Sequence, residues 1–133
     1  MQLIIHRGTQ EIGGSCVEVR TVKSRILIDF GMPLVANQDK LPDIQGLYND
    51  QEKGIDGILV SHSHLDHYGF LEHVHPEIPV YMSQGASILI EVSNIFIPTK
   101  VGALNTRIIK HKKQFKIGDF TITPFLVDHS AFD

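Results

Sequence analysis

Ser61-His62-Ser63-His64-Leu65-Asp66-His67-Tyr68-Gly69 gathers three imidazoles and a carboxylate into six residues, 62–67. Just upstream, Gly57-Ile58-Leu59-Val60 is a short apolar, β-branched run that reads as a buried strand. Just downstream, Phe70, Leu71 and Val74 recur at helical spacing, which predicts a helix near residues 66–74 that His75-Pro76 ends. The histidines therefore sit where a strand runs into a helix. Alternate side chains of an extended segment point the same way, so His62 and His64 can converge on one ion. Asp66 and His67 follow as the chain turns, and can face a second ion. Imidazole with carboxylate is a donor set suited to zinc, iron or manganese. A histidine-rich surface loop is the plainer reading, but it does not account for a carboxylate inside an ordered spacing.

His62-x-His64-x-Asp66-His67 resembles the signature of the metallo-β-lactamase fold, the HxHxDH hydrolases. Within that superfamily the chain resembles the ribonuclease J and β-CASP group of RNA-processing nucleases. The matching segments are Gly8-Thr9-Gln10-Glu11-Ile12-Gly13-Gly14-Ser15-Cys16, Ile26-Leu27-Ile28-Asp29-Phe30-Gly31, Pro42-Asp43-Ile44 and Val127-Asp128-His129-Ser130. The resemblance implies an α/β (α+β) chain, with residues 1–133 forming the N-terminal portion of an αββα sandwich. The second half and any β-CASP insertion are expected to lie outside this sequence.

The resemblance also assigns roles. His62, His64 and His129 hold one metal, Asp66 and His67 help hold another, and Asp66 orients the attacking water. Asp29 is expected to support the histidine loop by hydrogen bonding without touching metal. A turn aspartate before glycine is the plainer reading of that residue. Two divalent ions, zinc or alternatively manganese, activate water for phosphodiester hydrolysis in this reading. The implied substrate of the longer protein is RNA. For the 133 residues alone, an incomplete second metal site and little or no turnover are expected. Glyoxalase II-type or lactonase-type hydrolysis of small esters is the alternative within the fold, and a non-catalytic metal-binding or assembly module is the alternative outside enzymology.

The rest of the composition bounds these readings. A chain of 133 residues with 42% hydrophobic content fits one globular domain. No apolar run is long enough for a membrane span, since Glu91, Ser93 and Asn94 interrupt the best stretch, residues 87–97. The N-terminus shows no basic segment followed by a long apolar one. A single cysteine, Cys16, excludes an internal disulfide, suits the cytoplasm and reads as a small buried hydrophobe.

The net charge of −3 hides an uneven distribution. Six of the twelve basic residues lie between Lys100 and Lys116, where there is no Asp or Glu. Lys110, Lys112 and Lys113 are the candidates there for contact with phosphates. Lysines guarding an edge strand are the competing explanation.

Taken in order, residues 2–6, 15–20 and 25–30 predict a β-meander. Gly13-Gly14 reads as a turn or bulge, because it lacks the lysine and helix of a phosphate-binding loop. Residues 32–56, including Asp39, are polar and loop-like, with a short helix at residues 43–48. A strand at 79–82 precedes a helix capped by Ser83. On that helix Ile88, Leu89, Val92, Ile95 and Phe96 form an apolar stripe expected to pack into the core, with Pro98 beyond its end. Residues 107–109, 114–117 and 120–127 read as strands, with Gly118-Asp119 as a hairpin turn. His73 and His75 are expected at the surface or capping a helix. Nothing marks His6 or His111 as ligands, and Asp128 and Ser130 are expected to shape their loop. Half a sandwich also leaves apolar surface uncovered, which favours self-association.

Overall fold

Where the chain is rich in Val, Ile and Leu at period two it forms a mixed six-stranded sheet. The computed structural model describes residues 1–35, 40–50, 52–97, 101–127 and 129, so Asp39, Pro98, Lys100, Asp128 and Ser130 lie outside the described residues. The strands are β1 (Gln2–Arg7), β2 (Cys16–Arg20), β3 (Arg25–Ile28), β4 (Gly57–Leu59), β5 (Val80–Met82) and β6 (Thr106–Ile108). They lie in sequence order across the sheet. The β1–β2–β3 meander is antiparallel, and β3 through β6 run parallel. A separate antiparallel hairpin, β7 (Phe115–Ile117) and β8 (Phe120–Ile122), turns at Gly118, whose φ is +52°.

Parallel strands need crossovers, and these carry the helices. Between β4 and β5 lie a single turn, α1 (Leu65–Tyr68), and a 3-10 turn at Leu71–His73; between β5 and β6 lies α2 (Gln84–Ser93). Leu27, Ile58, Val80 and Met82 face these elements and are buried with Phe30, Ile44, Leu47, Tyr68, Phe70 and Leu71. The Tyr68 hydroxyl bonds to Ser93 Oγ at 2.8 Å, tying α1 to α2. On the opposite sheet face Leu3, Ile5 and Ile28 are exposed. One end of that face is covered by the hairpin, where Phe115 stacks on Tyr81 at 5.1 Å.

Several local expectations are corrected. The helix foreseen over residues 66–74 stops after one turn. Phe70 N–H donates to Phe30 O (3.1 Å) instead of continuing the helix, and Gly69 packs with no room for a side chain between Leu65 O and Met32 Cβ. The helix at residues 43–48 does not form: Leu47 N bonds Ile44 O in a turn, and Tyr48 pairs with Val74 as a β-bridge. Strand β3 ends at Ile28, because Asp29 adopts φ +61° and turns the chain under the histidine loop. The final strand ends at Ile122, and residues 123–127 run on without a ladder partner.

Ser83 caps α2 as foreseen, its Oγ accepting from Ala86 N at 3.0 Å. The stripe Ile88, Leu89, Val92, Ile95 and Phe96, however, is 44–80% exposed. The core-facing side of α2 is Gly85, Ala86 and Ile90. The cap and the direct link from β5 fix the helix's rotation, and small residues let it lie close to the sheet. Cys16 is fully buried, and burial pushes its thiol up to about 12. Among the described residues no helix is long and apolar enough to cross a membrane.

Candidate metal centre

The site is built at the C-terminal ends of β3 and β4, where the parallel strands release their chains. Val60 N–H still donates to Tyr81 O (2.9 Å), and one residue later the backbone leaves the sheet. His64 remains extended (φ −84°, ψ 141°) as the N-cap of α1. His62 and His64 consequently project to one side, with His62 Nε2 and His64 Nδ1 3.1 Å apart. His129, more than sixty residues on, joins them: one ligand atom from each of the three lies within 4.8 Å of the others. The His62 ring stands edge-on to those of His64 and His129 at 4.7 and 4.8 Å, and 3.9 Å from that of His67. His67 Nε2 is 3.5 Å from Asp66 Oδ2, so these two form a second donor pair beside the trio.

Beneath the rings lies Asp29, 5% exposed. Its Oδ1 accepts Ser61 N–H at 2.7 Å, and its Oδ2 accepts His67 Nδ1–H at 2.7 Å and the Ser61 hydroxyl at 2.9 Å. A carboxylate only accepts, and a hydroxyl has one proton to give. With that proton committed to Asp29, Ser61 Oγ is left to accept from His62 Nδ1, 3.0 Å away. The chain of donors therefore puts both ring protons on Nδ1, leaving Nε2 of His62 and His67 with lone pairs directed outward. Ser61 was missed in the sequence. Its only signal was its position ahead of the first histidine.

Burial, followed by repulsion from the neighbouring His67, His64 and His129 rings, lowers the His62 pKa below its usual value and favours neutral imidazole. Neutral imidazole is the form that binds metal. The donor set thus fits a divalent cation: His62, His64 and His129 around one position, with Asp66 and His67 beside it.

The glycine segment ahead of β2 buttresses this loop. Ser15 N–H donates to Asp66 O at 3.0 Å, Gly14 N–H to Met32 O at 3.0 Å, and Phe30 N–H to His67 O at 2.9 Å. Gly13 and Gly14 have φ of +80° and +67°, as a turn requires. A Cβ on Gly13 would come within 2.9 Å of Asp66 Cβ. Arg7 grips this turn through two bonds to Glu11, at 2.8 and 3.0 Å.

The remaining candidates fall elsewhere. Lys110, Lys112 and Lys113 are exposed on the turn after β6. Of these Lys110 lines a cleft of about 610 Å³ that also reaches His62 and His129. His6 is not near the centre: it bonds Glu18 at 2.9 Å. His73 and His75 lie past α1, where His75 Nδ1 accepts from Glu77 N.

The beta-lactamase superfamily domain profile matches residues 24–133, a span that includes the entire histidine loop and His129. This chain belongs to that family. Within the metallo-β-lactamase superfamily it is similar to the RNase J-like protein of Methanocaldococcus jannaschii, 45% identical over 67 residues that cover 50% of this chain and 14% of that protein. It is also similar to ribonuclease J of Helicobacter pylori, 29% identical over 133 residues covering 95% of this chain and 19% of that protein. A protein of unknown function from Enterococcus faecalis shares the fold, with a TM-score of 0.73 and 20% identity over 90% of this chain and 36% of that one. The ribonuclease J resemblance and the mixed α/β class expected from the sequence both hold. The chain spans about a fifth or less of the length of these curated relatives. The superfamily fold implies divalent-metal binding, and the histidine trio supplies the donors for it.

Proposed function

We propose that this chain supplies the metal-binding loop and first metal site of an RNA-processing phosphodiesterase. The observation that carries the reading is the convergence of His129 on His62 and His64, beside the Asp66–His67 pair. In this reading His62, His64 and His129 hold one divalent ion and Asp66 and His67 help hold a second, with zinc or manganese as the native metal. When bound, such ions lower the pKa of a coordinated water and polarise a phosphoryl oxygen. Asp29 and Ser61 hold the His62 and His67 rings with Nε2 outward. Asp66, half-buried beside them, orients the attacking water. Water adds at phosphorus as one P–O ester bond breaks, giving a phosphate monoester and a hydroxyl. Lys110, at the cleft rim, attracts neighbouring phosphates, with Lys112 and Lys113 on the same turn. The buried thiol of Cys16 agrees with a cytoplasmic protein.

Similarity to proteins named as ribonuclease J favours RNA over small esters as the substrate. Two measurements test the reading. Calorimetric titration with zinc and manganese is expected to give uptake that His62→Ala and His129→Ala abolish. A polypeptide of the relatives' length carrying this domain is expected to cleave an RNA oligonucleotide when metal-loaded, and to leave a small thioester intact. The opposite preference overturns the RNA assignment.

A further inference from the structure

The cleft beside the histidine trio holds features that metal binding does not use. It runs from His62 and His129 along residues 124–127 and the turn after β6, and its volume of about 610 Å³ lies within the range of small-molecule sites, about 300–1,000 Å³. Its walls are largely apolar, with Ile108, Phe125 and Leu126 contributing. Phe125 is 64% exposed, although it stands next to a polar, ion-competent centre.

Two contacts give this wall a defined shape. Leu126 N–H donates to His111 Nδ1 at 2.8 Å, and the His111 ring meets Phe125 edge-on at 6.1 Å. The first bond leaves the proton of neutral His111 on Nε2, so the ring is a donor on its far side. Lys112 N–H donates to Pro124 O at 2.8 Å, pinning the basic turn to the same stretch. An aromatic face, a hydrogen-bond donor and the cation of Lys110 therefore line one groove that ends at the histidine trio.

We infer that this cleft is a nucleobase subsite. It takes the base next to the phosphodiester at the metal centre, stacked on Phe125, with Lys110 on an adjoining phosphate. The inference rests on the phosphodiesterase reading and adds to it where the base is held. A phosphate at the trio carries its nucleoside only a few bonds away, which is the reach of the adjoining groove. A base offers an apolar face for Phe125 and polar edges for His111, a pairing that recurs where single strands are bound. A fatty acyl chain would use the apolar wall but neither His111 nor Lys110.

The test is binding by the 133-residue chain, zinc-loaded, of a short 2′-O-methyl RNA, followed by fluorescence anisotropy. A matched oligonucleotide with abasic positions is the second probe. Phe125→Ala is expected to weaken binding of the base-bearing strand about tenfold or more. The same change is expected to leave the abasic strand and zinc uptake unaltered, while Phe125→Tyr retains affinity. Lys110→Ala is expected to weaken both strands alike. If Phe125→Ala binds the base-bearing strand as tightly as the parent chain, the subsite is refuted and the phosphodiesterase reading stands. If the parent binds neither strand while taking up zinc, the subsite is refuted, and the phosphodiesterase reading fails only if the polypeptide of the relatives' length also leaves RNA uncut.

Discussion

Asp29 Oδ2 lies 2.7 Å from His67 Nδ1, although the two residues are 38 positions apart and on different crossovers. The contact exists because Asp29 takes φ +61° directly after β3, carrying its carboxylate under the loop that follows the neighbouring parallel strand. Asn also tolerates this backbone region, so Asp29→Asn keeps the turn. Its amide can still accept from Ser61 N–H, but its NH2 cannot accept from His67 Nδ1–H. Zinc affinity is expected to fall by about 10–100-fold, the usual effect of removing a group that orients a metal-binding imidazole. Competition with a chromophoric chelator measures it, and an unchanged affinity would show that His67 needs no partner.

Ser61 separates the two imidazoles that Asp29 governs. His67 touches the carboxylate directly, whereas His62 reaches it only through the Ser61 hydroxyl. Ser61→Ala is therefore expected to release the His62 tautomer while leaving the His67 contact intact. Zinc affinity should drop by about tenfold, within the range for such outer partners. Ser61→Thr, which keeps the hydroxyl, should recover it. The tautomer itself is read from the ring nitrogen shifts in 15N NMR: Nδ1–H for His62 in the parent, mixed in Ser61→Ala.

How much of this was legible in the sequence differs by residue. The strands and the histidine loop were readable because β-branched runs and HxHxDH spacing are local signals, and the loop's form follows from β4. The helix after the loop was misjudged because Phe70, Leu71 and Val74 carry helical spacing, yet Phe70 N–H is claimed by Phe30, forty positions away. The α2 stripe was misassigned for a related reason. Periodicity identifies an apolar face but not which face the fold turns inward, and Gly85 and Ala86 settle that through closeness of approach. Likewise, the glycine turn was recognised as a turn, but its contact with Asp66 depends on a register that no local pattern encodes.

Gly31 shows how little slack that register has. A Cβ placed on it would lie 1.6 Å from the Asp66 carbonyl oxygen and 2.7 Å from His67 N, both backbone atoms. Neither can swing aside as a side-chain tip would. Gly31→Ala must push α1 and the histidine loop away from β3, breaking the Phe30–His67 and Ser15–Asp66 bonds with them. The expected cost is about 3 kcal/mol or more, at the upper end for overpacking. Chemical denaturation of the metal-free chain measures it. Gly102, whose added Cβ would meet nothing within 4 Å, serves as the neutral control.

Acid should destabilise the metal-free chain chiefly through Glu18 and His62, which shift in the same sense. Glu18 is only 1% exposed within the meander. Burial raises its pKa, but hydrogen bonds from Arg25 at 2.8 Å and His6 at 2.9 Å, with their charges, outweigh burial and leave the carboxyl below its ordinary 4.5. A carboxyl lowered in the folded state contributes stability that is complete above its unfolded value and is lost as pH falls through the folded one. His62 is lowered as well, from 6.5, by burial and by its neighbouring rings. The unfolded chain therefore takes up that proton first, and stability declines as pH drops below about 6.5. The expected profile is a plateau above neutrality, a first decline below about 6.5 and a second below about 4.5. Denaturant midpoints across pH 3–8 trace it, and the two steps are separable. His62→Ala should remove the upper decline, while Glu18→Gln should lower the plateau and shrink the second, leaving the part due to Glu11, which its hydrogen bonds with Arg7 also hold below 4.5.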